Sequence, residues 1–203
     1  STLLVTKSIN EIKARRIFGK VEHKILPGSS SDLKVLEIFV EEKATGEIMA
    51  GAGVGTEGTS FQFAVSENNW LGRGIKLVSS LNVSEEKISG DILVTNPNYA
   101  FSGNSVTVAM DVSSTDRSSS SGFQSSKTGF FLGTSFEQYE NVFIAPNFSI
   151  AFEDIEVDST ASSTIKKMEG NFFNSDLGYT ITLDKRDQAF KPTKGHKVSF
   201  RQS

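Results

Sequence analysis

Two histidines, no cysteine and a scatter of carboxylates are the side chains here from which chemistry could be built. His23 and His196 stand far apart, without the short spacing that places two imidazoles on one metal. The lack of cysteine removes thiolate ligands, a cysteine nucleophile and a disulfide scaffold. Glu153, Asp154, Glu156 and Asp158 offer hard oxygens suited to calcium, but the spacing and the turn glycine of a calcium loop are missing. A solvated loop end accounts for them better. Asp184-Lys185-Arg186-Asp187 sets acids beside bases with no nucleophile nearby, and reads as a structural ion-pair network in a turn. Gly51-Ala52-Gly53-Val54-Gly55 has the glycine density of a phosphate loop, yet lacks G-x-G-x-x-G spacing and a following helix. Close packing or flexibility within a strand fits it better. No catalytic residue, metal site or cofactor is expected.

Composition narrows the classes further. In 203 residues, 21 Lys and Arg face 24 Asp and Glu, for a net charge of −3. That balance argues against a nucleic-acid partner, which would show a basic patch or stripe. Only 37% of residues are hydrophobic, while 17 glycines and 16 phenylalanines stand out. Apolar runs fall well short of the ~18–20 residues of a spanning helix. A membrane β-barrel remains open, because it hides its apolarity in every second residue. The chain opens in a helical pattern without an initiator Met or signal-peptide core and stops a few residues into a strand pattern, which reads as a fragment.

The elements that must position these residues fall into two groups. Over residues 2–16, Val5, Ile9 and Ile12 line one face of a helix, with cations in its last turn. Strands are expected at 20–26 and 32–41, joined through Pro27-Gly28-Ser29-Ser30. That is too little to bury a core alone and reads as the tail of a larger α/β module.

Beyond Lys43, alternation of period two takes over. Ile48, Ala50, Ala52 and Val54 oppose Met49, Gly51, Gly53 and Gly55, and the pattern repeats through Phe61–Val65, Leu77–Val83, Val106–Val112, Phe148–Phe152 and Leu177–Leu183. About eight or nine antiparallel strands, the last truncated, fit between Gly46 and Ser203. A soluble β-sandwich would also alternate. Its solvent face is usually charged, whereas the second faces here are mostly Gly, Ala, Ser, Thr and Asn, which suits a barrel lumen with lipid outside. Serine-rich stretches at 113–127 and 153–175 read as long loops on one rim. Shorter connections carry Trp70, Tyr99, Phe101, Tyr139, Phe143 and Phe190, the aromatic girdle of a membrane interface.

A family resemblance points the same way. Val40-Glu41-Glu42-Lys43-Ala44-Thr45-Gly46-Glu47, followed by the glycine-alternating strand, resembles the junction between the last POTRA domain and the barrel in the BamA family of outer-membrane assembly factors. Ser66-Glu67-Asn68-Asn69-Trp70-Leu71-Gly72-Arg73-Gly74, Thr95-Asn96-Pro97-Asn98-Tyr99 and Tyr179-Thr180-Ile181-Thr182-Leu183-Asp184-Lys185-Arg186-Asp187 follow in the family's order. Residues 12–21 are similar to the end of a POTRA helix and the strand after it.

The resemblance implies a mainly β protein, with residues 1–45 the C-terminal part of an α+β POTRA domain and 46–203 the N-terminal half of an antiparallel transmembrane β-barrel. It implies a non-enzymatic factor that inserts β-barrel clients into the bacterial outer membrane, its N-terminal part in the periplasm. Unfolded clients, accessory lipoproteins and outer-membrane lipid would be its partners. Glu47, Ile48, Met49, Ala50, Gly51, Ala52, Gly53, Val54 and Gly55 would form the gate strand, unless the glycines only relieve crowding in the barrel. Trp70, Tyr99 and Phe101 would mark the periplasmic interface. A TamA-like or two-partner secretion transporter, a passive channel or adhesin barrel, and a soluble β-rich binding module are the other readings.

Overall fold

The computed structural model describes residues 2–30, 32–55, 58–188 and 191–203. Helix α1 (Thr2–Ala14) leads into an antiparallel hairpin of β1 (Phe18–Pro27) and β2 (Lys34–Glu42). The helix stops short of the expected residue 16 because Arg16 turns left-handed, at φ 57°. Ile9 on the helix and Ile17 beside β1 are buried, and they are the core of this small unit.

Nine strands then form one antiparallel sheet in strict chain order: β3 (Gly46–Gly55), β4 (Gly58–Trp70), β5 (Ile75–Ser84), β6 (Lys87–Asn96), β7 (Ser105–Arg117), β8 (Phe123–Tyr139), β9 (Val142–Val157), β10 (Gly170–Asp184) and β11 (Lys197–Gln202). Every neighbour is joined by a hairpin, so alternation carries unbroken from strand to strand. Register puts Ile48, Val65, Ser79 and Ile92 in one cross-strand row, and Leu132, Phe148 and Leu177 in another, all on one face. That face is predominantly apolar across the sheet and continues to Phe200, which pairs with Ile181. The opposite face carries Gln62, Asn82, Asp91, Asp111, Lys127, Asn147 and Arg201, mixed with glycine, alanine and hydroxyls.

The sandwich reading fails on this arrangement. A sandwich buries two facing sheets against each other. Here a single layer leaves its apolar face exposed, and Ala64 is the one buried apolar side chain among the described residues of the sheet. No helix of the described residues is long and apolar enough to cross a membrane, which has no bearing on strands.

The serine-rich stretches expected to be long loops are largely strand. β7 runs to Arg117 and β8 begins at Phe123, while β9 runs to Val157 and β10 begins at Gly170. Serine and threonine keep the ladder here: Ser113 pairs with Lys127, Ser114 with Ser126 and Thr115 with Ser125. Threonine fits a pleated surface and serine keeps its backbone pairing, so the sheet continues where the apolar pattern ends. The connection at 158–169 remains long and contains a single helical turn, Ser163–Lys166.

Candidate functional site: an edge strand and the rim at its base

β3 forms one edge of the sheet and β11 the other. Residues 47–55 therefore pair with β4 on one side only, and the other side of β3 presents backbone N–H and C=O groups. An edge of this kind templates a further strand. Its side chains do little to close it off. Val54 is 87% exposed and Ile48 and Met49 are also exposed. A methyl group on Gly51 or Gly55 would meet no atom within 4 Å, and on Gly53 only Ser60 Oγ at 3.5 Å. Crowding within this sheet therefore does not require glycine at these positions.

The base of β3 is built differently. Thr45 Oγ1 donates to Glu67 Oε1. Asn69 N–H donates to that same oxygen at 2.6 Å. The Asn68 side-chain amide and backbone N–H both donate to Thr45 O, at 3.2 and 3.3 Å. Gly46, opposite Glu67, has no side chain because a Cβ there would lie 2.9 Å from Glu67 Oε2. Strand β3 thus starts from a polar clasp and continues into a stretch with almost no side-chain restraint.

Three turns share this end of the sheet. In the four-residue β4–β5 connection, Leu71 and Gly72 both take positive φ, 57° and 68°, and Arg73 N–H donates to Trp70 O, the geometry of a type I′ turn. Asn69 Oδ1 accepts from Gly74 N–H at 2.7 Å and holds that turn closed. Gly74 lies against the N-terminal unit: a Cβ there would stand 3.4 Å from Arg15 Nη1 and 4.0 Å from Ile17 Cδ1. In the β6–β7 connection, Asn96 Oδ1 accepts from Asn98 N–H at 3.0 Å and Asn98 Oδ1 from Gly103 N–H at 2.8 Å. Those two asparagines shape the loop that projects Tyr99 and Phe101. The β8–β9 turn is bound to the end of β10, where Asp184 N–H donates to Asn141 O at 2.9 Å.

The three aromatics come to one rim. Trp70 ends β4 opposite Ile75 on the apolar face, beyond an irregularity after Glu67. Tyr99 and Phe101 sit in the β6–β7 connection, with Phe101 94% exposed. Phe190 lies outside the described residues. Asp184-Lys185-Arg186-Asp187 is structural, as its sequence suggests. Arg186 grips Asp184 through Nε at 2.8 Å and Nη2 at 2.7 Å. Asp187 accepts from the Thr193 hydroxyl at 2.6 Å and from backbone N–H groups across its own loop.

On the opposite rim the loops are chained by side chains. Glu85 Oε1 accepts from Thr59 N–H at 3.2 Å, at the tip of the β3–β4 hairpin. Glu86 takes Arg117 Nε at 2.8 Å and the Ser120 hydroxyl at 2.9 Å. Asp158 N–H donates to Gly122 O at 2.8 Å, extending the chain to the β9–β10 loop.

Sequence reasoning picked out β3 and the aromatics but gave no role to Thr45, Glu67 or Glu85. The available signal was a carboxylate, Glu67, on the otherwise apolar outward face of β4. The site brings together backbone edge groups, an apolar face and polar clasps, with no nucleophile. Among the described residues no cluster of three or more His, Cys, Asp or Glu could hold a metal ion. Such a surface can pair strands.

Known proteins share this arrangement. A family model described as the Omp85 superfamily domain matches residues 69–203. The chain is 24% identical over 183 residues to the outer membrane protein assembly factor BamA of Neorickettsia risticii, an alignment covering 88% of this chain and 24% of that protein. It is 25% identical over 199 residues to BamA of Nitratidesulfovibrio vulgaris, covering 93% and 24%. It therefore spans about a quarter of the length of these curated relatives. The crystal structure of BamA from Haemophilus ducreyi lacking POTRA domains 1–3 superposes with a TM-score of 0.68 at 17% identity, over 99% of this chain and 42% of that one. The nine-stranded sheet is thus similar to part of a BamA barrel, and on the family match over most of its length this BamA-like chain belongs to the Omp85 superfamily.

Proposed function

We propose that the chain is part of an outer-membrane assembly factor that folds and inserts β-barrel proteins into the bacterial outer membrane. In this reading residues 1–45 are the C-terminal part of a POTRA domain in the periplasm, and 46–203 the N-terminal half of the barrel. Clients are unfolded β-barrel proteins, with accessory lipoproteins and outer-membrane lipid as further partners. The action is non-enzymatic. A strand entering a bilayer must satisfy every backbone N–H and C=O, and an exposed strand edge at the membrane supplies those partners.

The observation that carries the reading is β3, a glycine-rich edge strand, heading a sheet with one predominantly apolar, exposed face. The names of the BamA relatives and the family match support it. Depleting the gene product that carries this sequence tests it. The steady-state levels of other outer-membrane β-barrel proteins are expected to fall, with inner-membrane proteins unchanged. A passive channel or adhesin barrel would leave those levels intact, and a soluble module would leave the membrane fraction on carbonate and high-salt washing.

A further inference from the structure

The middle of β3 carries almost nothing that could fix its register against β4. A slip of one residue would turn Ile48 and Val54 to the polar face and is opposed by that mismatch. A slip of two residues keeps every side chain on its own face. It exchanges Ala50 for Ile48 or Ala52, and Gly51 for Met49 or Gly53, where a methyl group meets nothing nearer than 3.5 Å. Side-chain packing along the strand is therefore nearly blind to that slip.

The base of the strand is not blind to it. In the observed register Gly46 stands opposite Glu67. After a two-residue slip either Ala44 or Ile48 would take that place, bringing a Cβ to where it crowds the carboxylate. Glu67 could move aside only by giving up the hydrogen bonds from Thr45 and Asn69. At the tip a related contact lies on β4 alone. Gly58, with φ +82°, lies beneath the Glu85 carboxylate, where a Cβ would come within 2.5 Å of Cδ, and Thr59 N–H donates to Glu85 Oε1. Glu85 thus ties the start of β4 to the β5–β6 turn, while Glu67 is the carboxylate that reaches across to β3.

We infer that Glu67 is a positioning residue, a register pin that holds β3 in one alignment on β4 while the middle of the strand stays free to accept another strand. This rests on the edge-strand reading above and adds to it how the edge keeps a defined register for its client. The pin acts through Oε1 as an acceptor, not through its net charge.

These 203 residues hold no cysteine, so pairs introduced here can be read directly in the full-length gene product carrying this sequence, in outer membranes, once any cysteine elsewhere in it is replaced. A disulfide needs Cβ atoms about 4 Å apart, met by directly opposed residues and not by diagonal ones. M49C/A64C reports the observed register, while M49C/Q62C and M49C/S66C report slips of two residues in either direction. With Glu67 intact, oxidation is expected to close the first pair almost alone. In the E67A background a slipped pair should gain about tenfold relative to it, the scale of losing one or two hydrogen bonds. E67Q keeps Oε1 and should behave like the parent, which a role through charge would not predict, and E85A, whose contacts lie on β4, should also match the parent. Unchanged disulfide ratios in E67A overturn the inference; if that variant does not accumulate, an unchanged ratio in T45V does so. Outer-membrane protein levels are scored separately. A pin that fails beside an active assembly factor refutes only the inference, whereas a register that slips without any effect on assembly counts against the edge-strand reading.

Discussion

Asp187 shows how single residues hold the rim in shape. Its carboxylate gathers the Thr193 hydroxyl and the N–H groups of Gln188, Thr193 and Lys194. The hydrogen bond from the Thr193 side chain, followed by those from the backbone, holds its pKa below the ordinary aspartate value. A carboxyl whose folded-state pKa is depressed stabilises the fold fully above its unfolded pKa, and that contribution disappears as pH falls through the folded one. Hydrogen exchange should therefore find the Thr193 and Lys194 amides protected at neutral pH. Protection should be lost only on acidification below the usual aspartate range, and D187N should lack it throughout. Equal protection in D187N would show that the carboxylate does not organise the loop. At this scale the sequence disclosed the type of network, because acids and bases sit together in a turn. It did not disclose the partners, since Thr193 lies six positions from Asp187 and only the returning loop brings it back.

The strands were legible where side chains alternate between apolar and small, as along Val106–Val112 or Leu177–Leu183. They were illegible where both faces turn polar. At 113–117 and 123–127 nothing in the residue types separates strand from loop; the ladder from β7 to β8 decides it, and the Glu86–Arg117 ion pair ties the end of β7 to the β5–β6 turn. The same polar continuation marks where the apolar outward face ends: Phe152 and Phe173, whose rings pack 5.0 Å apart, give way along β9 and β10 to Asp154 and Asn171. Trp70, Tyr99 and Phe101 bound the sheet at the other end, alongside the N-terminal unit at Gly74. If the sheet spans a membrane with that rim toward the periplasm, these rings belong at headgroup depth. Quenchers placed along lipid chains of a reconstituted gene product should reach Trp70 fluorescence most strongly near the interface. Quenching strongest at the bilayer centre, or none by any lipid-borne quencher, would contradict the placement.

At the scale of the molecule, one sheet with two open edges and an exposed apolar face has no interior in which to bury its hydrophobic residues. Unpaired edges template association, so the 203-residue chain by itself is expected to self-associate or fail to insert stably. A monodisperse, heat-resistant monomeric barrel from this chain alone would show that the edges satisfy each other. This architecture was readable from period-two alternation and the ordered motifs, whereas the asymmetry of β3, clasped at its base and unrestrained along its length, required the third dimension. That asymmetry is the core of the functional account: backbone hydrogen bonds along one edge would carry client recognition. The most direct test places single cysteines at positions 47–55 of the full-length gene product and crosslinks them to a client stalled during insertion. The account predicts crosslinks along β3 whose yield rises and falls with a two-residue period, the repeat of a paired strand. Crosslinks confined to another strand, with assembly undiminished after G51V/G53V, would contradict it.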